Sequence, residues 1–497
     1  MGPHLRKNLP PLQPVMVTPR AILFATAILG MAAMQSAAKD GKAVVPKETG
    51  ERHGSLTLDG ALSLALKQNP DILKAIHEIE RTRGHVIEVR AQALPSLVAT
   101  GNYSQYAPEL VGGGGAFPAS SASTLAIGSQ EKSWRIALQV RQILYSGGKV
   151  TAALRIAELT QDTSHQMLRE TVDRIIANVR TQFYTALLNR ELITVAEESI
   201  MLLSDQLKDQ QNRFDAGTVP RFNVLQAEVA LANARPNLIR AKNNLHISRL
   251  QLAKTLGLET DDEPGVTGTL RMIPREVNLS RALAAARRNR PILKAQQNTV
   301  STGEQQITVA KAGYKPSLNA DVGYEFVNSR GSTDLSKVTD GWYLGVNGTW
   351  ALFDGFQTKG QVEQAKASLA SAKVGLGDSV HQVELEVQQA YAQAKVAREV
   401  IATQEKVVEQ ADEALRLAKE RLNAGAGTQL DVLNAQVALT SARTTQKQAT
   451  SDYNVALAEY DRATGAEVIS DPTLPGSKVV SPTEIFRAPR APLIQSE

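Results

Sequence analysis

The sequence predicts an internally duplicated α+β membrane protein, each half supplying two membrane-crossing β-strands and one very long helical hairpin. Three observations predict it. Words of the sequence recur at a spacing far longer than a solenoid unit. Short runs alternate apolar and polar residues with the period of a strand. Two 67-residue stretches, 148–214 and 356–422, contain no proline, and the second carries a small or apolar residue at almost every third or fourth position.

The duplication is the strongest signal. "FNVLQAEVALANAR" (222–235) and "LDVLNAQVALTSAR" (430–443) share eight of fourteen residues at an offset of 208. "WRIALQVRQILYSGGKV" (134–150) returns as "WYLGVNGTWALFDGFQT" (342–358) at that same offset. "LPSLVATGNY" (94–103) returns as "KPSLNADVGY" (315–324) at an offset of 221, so a length difference lies between residues 104 and 133. "LDGALSLALKQNPDILKA" (58–75) matches "LSRALAAARRNRPILKA" (279–295). The repeats span 56–265 and 266–466.

Taken in order, the chain opens with Arg6, Lys7 and Arg20 ahead of the apolar run 21–34 and "SAA" at 36–38. This predicts a Sec-type signal peptide, residues 1–38, rather than an anchor, because the run is shorter than the ~20 residues that span a bilayer. A linker covers 39–55. Helices are expected over 58–75 and 76–93, with the turn at Asn69-Pro70, and over 278–314 in the second repeat.

Strands are expected at about 95–106, 133–145, 317–327 and 341–353. Trp134, Ile136, Leu138 and Val140 alternate with Arg135, Ala137, Gln139 and Arg141. Leu318, Val322, Tyr324 and Phe326 alternate with Asn319, Asp321 and Glu325. Trp342, Leu344, Val346, Trp350 and Leu352 share a face. Each run has about the ~9–11 residues of a transmembrane strand. Trp134, Trp342, Trp350, Tyr103 and Tyr324 stand where an interfacial aromatic girdle would. The intervening segments 107–132 and 327–340 are polar loops; the glycine run at 112–115 lacks the Gly-Lys-Ser/Thr of a phosphate loop.

A turn ("SGG", "DGF") then leads into each long helix, 148–214 and 356–422, about 100 Å if unbroken. In the second, the positions from Ala365 to Leu422 step by three or four with only Gln404 polar, a coiled-coil seam. The breaks 215–221 and 423–429 end these helices at Gly217 and Gly425. Return helices follow at 222–256 and 430–465. The Pro-rich tail 467–497 reads as flexible.

Four strands cannot close a barrel, and an open edge is not tolerated in lipid. Two chains would leave almost no lumen, whereas three give twelve strands and a lumen, so a homotrimer is expected. Composition excludes other classes. Net charge is +5 with both signs interspersed, too dispersed for a nucleic-acid surface. The chain has no Cys, and its seven His are scattered outside any metalloprotease or hydrolase motif, so no catalytic residue, cofactor or metal is expected. A periplasmic adaptor would carry one hairpin with β-rich modules, and a structural coiled coil would not explain four alternating strands.

Over residues 56–466 the sequence resembles the TolC-like outer membrane efflux family. The carrying features are the two "P-S-L…G-Y" words, the turns "LYSGG" and "LFDGF", and the breaks followed by "NVLQAEVAL" and "DVLNAQVAL". The resemblance implies a twelve-stranded outer-membrane barrel continued by an α-helical coiled-coil tunnel in the periplasm. It implies a passive conduit for efflux or type I secretion, docked on a periplasmic membrane-fusion adaptor and a proton- or ATP-driven inner-membrane pump. It implies that Ala216, Gly217, Thr218, Ala424, Gly425 and Ala426 meet the adaptor. Positions that lock the closed entrance in some members fall on Asn223, Leu422 and Gly427. Leu422 and Gly427 have no polar side chain, so closure by apolar packing is expected here. The positions whose acids ring the family's entrance fall on Asp431 and Asn434, one helical step apart. "TQLD" (428–431) reads equally as a helix capping box.

Overall fold

The computed structural model describes residues 55–106, 132–259, 263–328 and 335–466. The expected signal peptide, most of the linker, the polar loops at their centres and the tail lie outside these residues. In chain order the elements are α1 (Leu58–Gln68), α2 (Pro70–Ala91), β1 (Ser96–Gln105) and β2 (Lys132–Tyr145), then α3 (Lys149–Asp215) and α4 (Arg221–Leu256). The second repeat gives α5 (Leu279–Asn289), α6 (Pro291–Lys311), β3 (Ser317–Asn328), β4 (Val338–Thr349), α7 (Gln357–Asn423) and α8 (Gln429–Thr464). Both long helices run 67 residues and both return helices 36.

The compact units cut across the repeats. One unit gathers the strands of both repeats, from 88–151 and 308–358; the other gathers the helices. The reason is pairing: two strands cannot satisfy their ladder groups alone, so both halves contribute to one sheet.

That sheet is an antiparallel meander in the order β1-β2-β3-β4. Its register aligns Leu97 with Val140, Tyr103 with Trp134, Leu138 with Tyr324, Val140 with Val322 and Tyr324 with Trp342. One face is therefore apolar across all four strands, and its large side chains, including Ile136, Leu344, Val346 and Trp342, are exposed. The other face is polar. Asp321 accepts from Arg141 Nε (2.9 Å), Gln139 Nε2 (2.8 Å) and Asn347 Nδ2 (3.0 Å), and Arg135 pairs with Glu325. Polar in and apolar out is the pattern of a barrel wall in lipid. Among the described residues no helix is long and apolar enough to cross a membrane.

Two expectations change. The last strand ends at Thr349, not 353, because its partner begins at Ser317, just after Pro316, and offers no further ladder. Trp350 therefore lies beyond the strand, its Nε1 donating to the Tyr314 carbonyl (3.1 Å). The first two helices divide at the expected Asn69-Pro70 turn, so the first ends at Gln68 and the second begins at Pro70, not at 75 and 76. Asn69 Oδ1 accepts from the amides of Asp71 and Ile72, and its Nδ2 donates to the Thr255 carbonyl (2.7 Å). This caps α2 and ties it to α4.

The long helices begin one residue late because Gly148 and Phe356 hold positive φ (93° and 68°), which no helix accommodates. All seventeen seam positions from Ala365 to Leu422 are buried or half-buried, including Gln404. In the helical unit, α1 and α2 pack Ala61, Leu66 and Ile72 on Val179, Phe183 and Leu252. In the other repeat α5 and α6 pack Ala286 and Leu293 on Val387, Tyr460 and Ala463. Two buried ionic groups join the repeats. Asp461 of α8 accepts from Arg180 of α3 (2.9 Å) and from Arg275 (2.6 Å). Arg290, 3% exposed, reaches Glu170 of α3 (3.2 Å), Glu386 of α7 (3.0 Å) and the Arg462 carbonyl (2.9 Å). Nothing in the sequence marks these charges as buried; only the packing of four helices encloses them.

Candidate channel entrance at the hairpin tips

Each long helix ends in the same Schellman turn. Gly217 and Gly425 take positive φ (75° and 72°). Gly217 N donates to the Phe214 carbonyl (2.8 Å) and Thr218 N to that of Arg213 (2.9 Å); Gly425 N donates to Leu422 (3.1 Å) and Ala426 N to Arg421 (2.9 Å). These bonds satisfy carbonyls that a helix end leaves orphaned, and glycine adopts the left-handed step without steric cost. A Cβ on either glycine would meet nothing within 4 Å, so both turns face open space. Ala216, Thr218 and Ala424 are also exposed. Thr218 Oγ1 adds a bond to the Arg213 carbonyl (2.8 Å).

The return helices start differently. Pro220 begins α4 with no side-chain cap. Thr428 begins α8 with a full capping box: its Oγ1 accepts from Asp431 N (3.2 Å), and Asp431 Oδ2 accepts from Thr428 N (2.9 Å) and Oγ1 (2.8 Å). These bonds, the backbone one first, and the nearby Arg421 guanidinium hold the Asp431 carboxyl below its ordinary pKa. Oδ1 has no hydrogen-bond partner among the described residues. Asp431 and Asn434 are both exposed on one face of the first turns of α8.

The three expected locking positions do not meet as side chains. Leu422 is half-buried beside Leu415, Val432 and Leu439. At Gly427 a Cβ would crowd Arg421 (3.1 Å). Asn223 takes part through its carbonyl, which accepts from Gln429 Nε2 (3.1 Å). The tips are nonetheless joined by polar contacts from residues that the sequence reading passed over. Besides Gln429, Arg213 Nη2 donates to Asn423 Oδ1 (2.7 Å), while Arg421 Nη2 turns back to the Ala426 carbonyl (3.2 Å). A signal for them existed in the duplication: "RFDAG" (213–217) and "RLNAG" (421–425) are equivalents, so both arginines recur at the same place in the turn. Among the described residues no cluster of His, Asp and Glu could hold a metal ion.

The profile of the family described as "Outer membrane efflux protein" matches residues 61–258 and 282–466. The outer membrane efflux protein BepC of Brucella suis is 22% identical over 417 residues, 84% of this chain and 87% of its own. The alkaline protease secretion protein AprF of Pseudomonas aeruginosa is 23% identical over 408 residues, 81% and 82% of the two chains. The crystal structure of the Campylobacter jejuni CmeC outer membrane channel superposes with a TM-score of 0.71 at 18% identity, covering 82% of this chain and 85% of that one. The fold is thus that of the outer-membrane channels: three chains complete a twelve-stranded barrel that continues as a helical tunnel in the periplasm. The chain belongs to the outer membrane efflux protein family. It is the outer-membrane channel of an efflux or type I secretion system, and channels of this kind work with adaptors and inner-membrane pumps.

Proposed function

We propose that the hairpin tips form the periplasmic entrance of a passive, non-catalytic conduit. In this reading the turns at Ala216–Thr218 and Ala424–Ala426 receive the helical hairpins of the adaptor. Three Asp431 carboxylates, one per chain, ring the opening and favour cations, as carboxylate rings do. The observation that carries the reading is the pairing of exposure with order at Asp431: the side chain is open to solvent, yet the capping box fixes its position. Open turns at both glycines support the docking half. The cargo is set by the pump, since related channels serve both efflux and protease secretion by name.

Single-channel recording in planar bilayers tests the ring. Asp431→Asn is expected to lower the cation-to-anion permeability ratio and relieve divalent block, and Asn434→Asp to strengthen both. Unchanged selectivity in both variants would leave Asp431 as a helix cap alone. For docking, Gly217→Glu and Gly425→Glu are expected to abolish export while trimers still assemble. Gly217→Asn, which tolerates the left-handed conformation, separates strain from surface change. Loss of the trimer in the Glu variants would refute the docking role.

A further inference from the structure

The turns that join the sheet to the two long helices share one backbone and differ in one residue. In the first repeat Gly147 and Gly148 take φ 67° and 93°; in the second Gly355 and Phe356 take 64° and 68°. Phe356 stands 208 positions after Gly148, so the duplication makes the two equivalent. Phe356 is the one non-glycine residue with positive φ among the described residues. Glycine holds that conformation without steric cost, whereas a residue with a Cβ is strained in it. Burial does not offset the strain: Phe356 is 68% exposed, and beside it Leu352 is 81% and Phe353 77% exposed. The Phe353 and Phe356 rings meet edge to face, 5.6 Å between centroids. Asp354 fixes the turn, its Oδ2 accepting from Thr358 N (2.8 Å). A strained backbone that holds apolar rings outward points to a surface that is covered in use.

Two observations say what covers it. The first is continuity. The exposed residues of the lipid face of β4, Trp342, Leu344 and Val346, lead at the same alternation into exposed Trp350 and Leu352. Trp350 is held at the rim by its bond to the Tyr314 carbonyl (3.1 Å). The hook at 352–356 thus carries the lipid-facing surface past the end of the strand, on the side where the chain passes into α7.

The second is charge. The segment 308–318 lies between the two turns: Lys315 Nζ donates to the Gly147 carbonyl (3.2 Å), and a Cβ on Gly313 would stand 2.5 Å from Thr358 Oγ1. Over 143–151, 308–318 and 347–358 the charged residues are Lys149, Lys311 and Lys315 against Asp354 alone. All three lysines are exposed. A rim that is apolar at its edge and basic behind it matches the acyl chains and the anionic headgroups of a phospholipid leaflet.

We propose that this hook and its lysines form a binding site for anionic phospholipid in the periplasmic leaflet of the outer membrane. Phe353 and Phe356 enter the acyl-chain boundary, and Lys149, Lys311 and Lys315 take the headgroup phosphate. Each chain carries one such site, because the turn of the first repeat has Gly148 where the ring would stand.

The protein supplies its own reporter. With Trp134→Phe and Trp342→Phe, Trp350 is the sole tryptophan. In the reconstituted trimer, phosphatidylglycerol brominated on its acyl chains is expected to quench Trp350 more strongly than brominated phosphatidylcholine at equal mole fraction. Lys311→Gln and Lys315→Gln are each expected to lower that anionic preference about fivefold. Equal quenching by the two lipids, or none by either, would overturn the site. Phe356→Gly gives the second reading. Relief of the strain is expected to raise the melting temperature of the detergent-solubilised trimer, while quenching by brominated phosphatidylglycerol falls toward that of phosphatidylcholine. Unchanged quenching would refute the role of the ring. A trimer that loses heat resistance in this variant would place the ring against a second copy and refute the lipid site.

Discussion

Asp431 shows how one side chain serves two ends. The carboxylate that would charge the entrance is also the residue that starts α8, and the two roles separate by mutation. Thr428→Ala removes the hydroxyl of the cap but keeps the Asp431 charge and the backbone amide that holds it, and is expected to cost about 1 kcal/mol of stability with cation selectivity retained. Asp431→Asn is expected to change selectivity. Calorimetry and conductance of the two variants, measured side by side, check the separation. The pH dependence has a definite sign. Because the folded carboxyl lies below its ordinary pKa, the cap contributes fully above the unfolded value. That contribution is lost as pH falls through the lower folded value. Cation preference should likewise persist to a pH at which an ordinary aspartate is already protonated.

At the scale of elements, the helix breaks carry the sharpest constraints. Gly257 ends α4 at φ 79°, and a Cβ there would stand 2.5 Å from the Gln68 carbonyl oxygen. Gly257→Ala is therefore expected to destabilise well beyond the ~1–2 kcal/mol that the left-handed conformation costs an alanine, whereas Gly217→Ala, with open space around it, should cost only that strain. Thermal unfolding of the two variants decides this. The buried Arg290 is the other constraint. Arg290→Met strands Glu170 and weakens the setting of Glu386, for an expected loss of about 3–5 kcal/mol. Arg416→Ala, which breaks exposed, solvent-screened pairs to Glu413 and Glu420 on α7, should change stability little. A melting-temperature difference of similar size in the two variants would contradict the burial of the Arg290 group.

For the whole molecule, an exposed apolar sheet face and two unpaired edges cannot persist in one chain. The expected species is an outer-membrane trimer that survives detergent unheated and falls to monomer on boiling. Recovery in the soluble periplasmic fraction would contradict this.

Period and repetition alone were enough to determine the element types, the four strands, the two 67-residue helices and the places where they break. Those features depend on local spacing: alternation makes a strand, a three-or-four step makes a seam, and glycine ends a helix. Four strands with no closing partner also called for a trimer. What tertiary structure decided is whatever depends on two distant segments meeting. The end of β4 was set by where β3 begins, not by Trp350 or Leu352. The polar links Arg213–Asn423 and Gln429–Asn223 arose because two tips lie level. The burial of Arg290 and Asp461 followed from four helices converging on charges that look solvated in the linear chain. A sequence states each residue's preference, but burial and pairing belong to pairs of residues, and only the folded chain brings the members of each pair together.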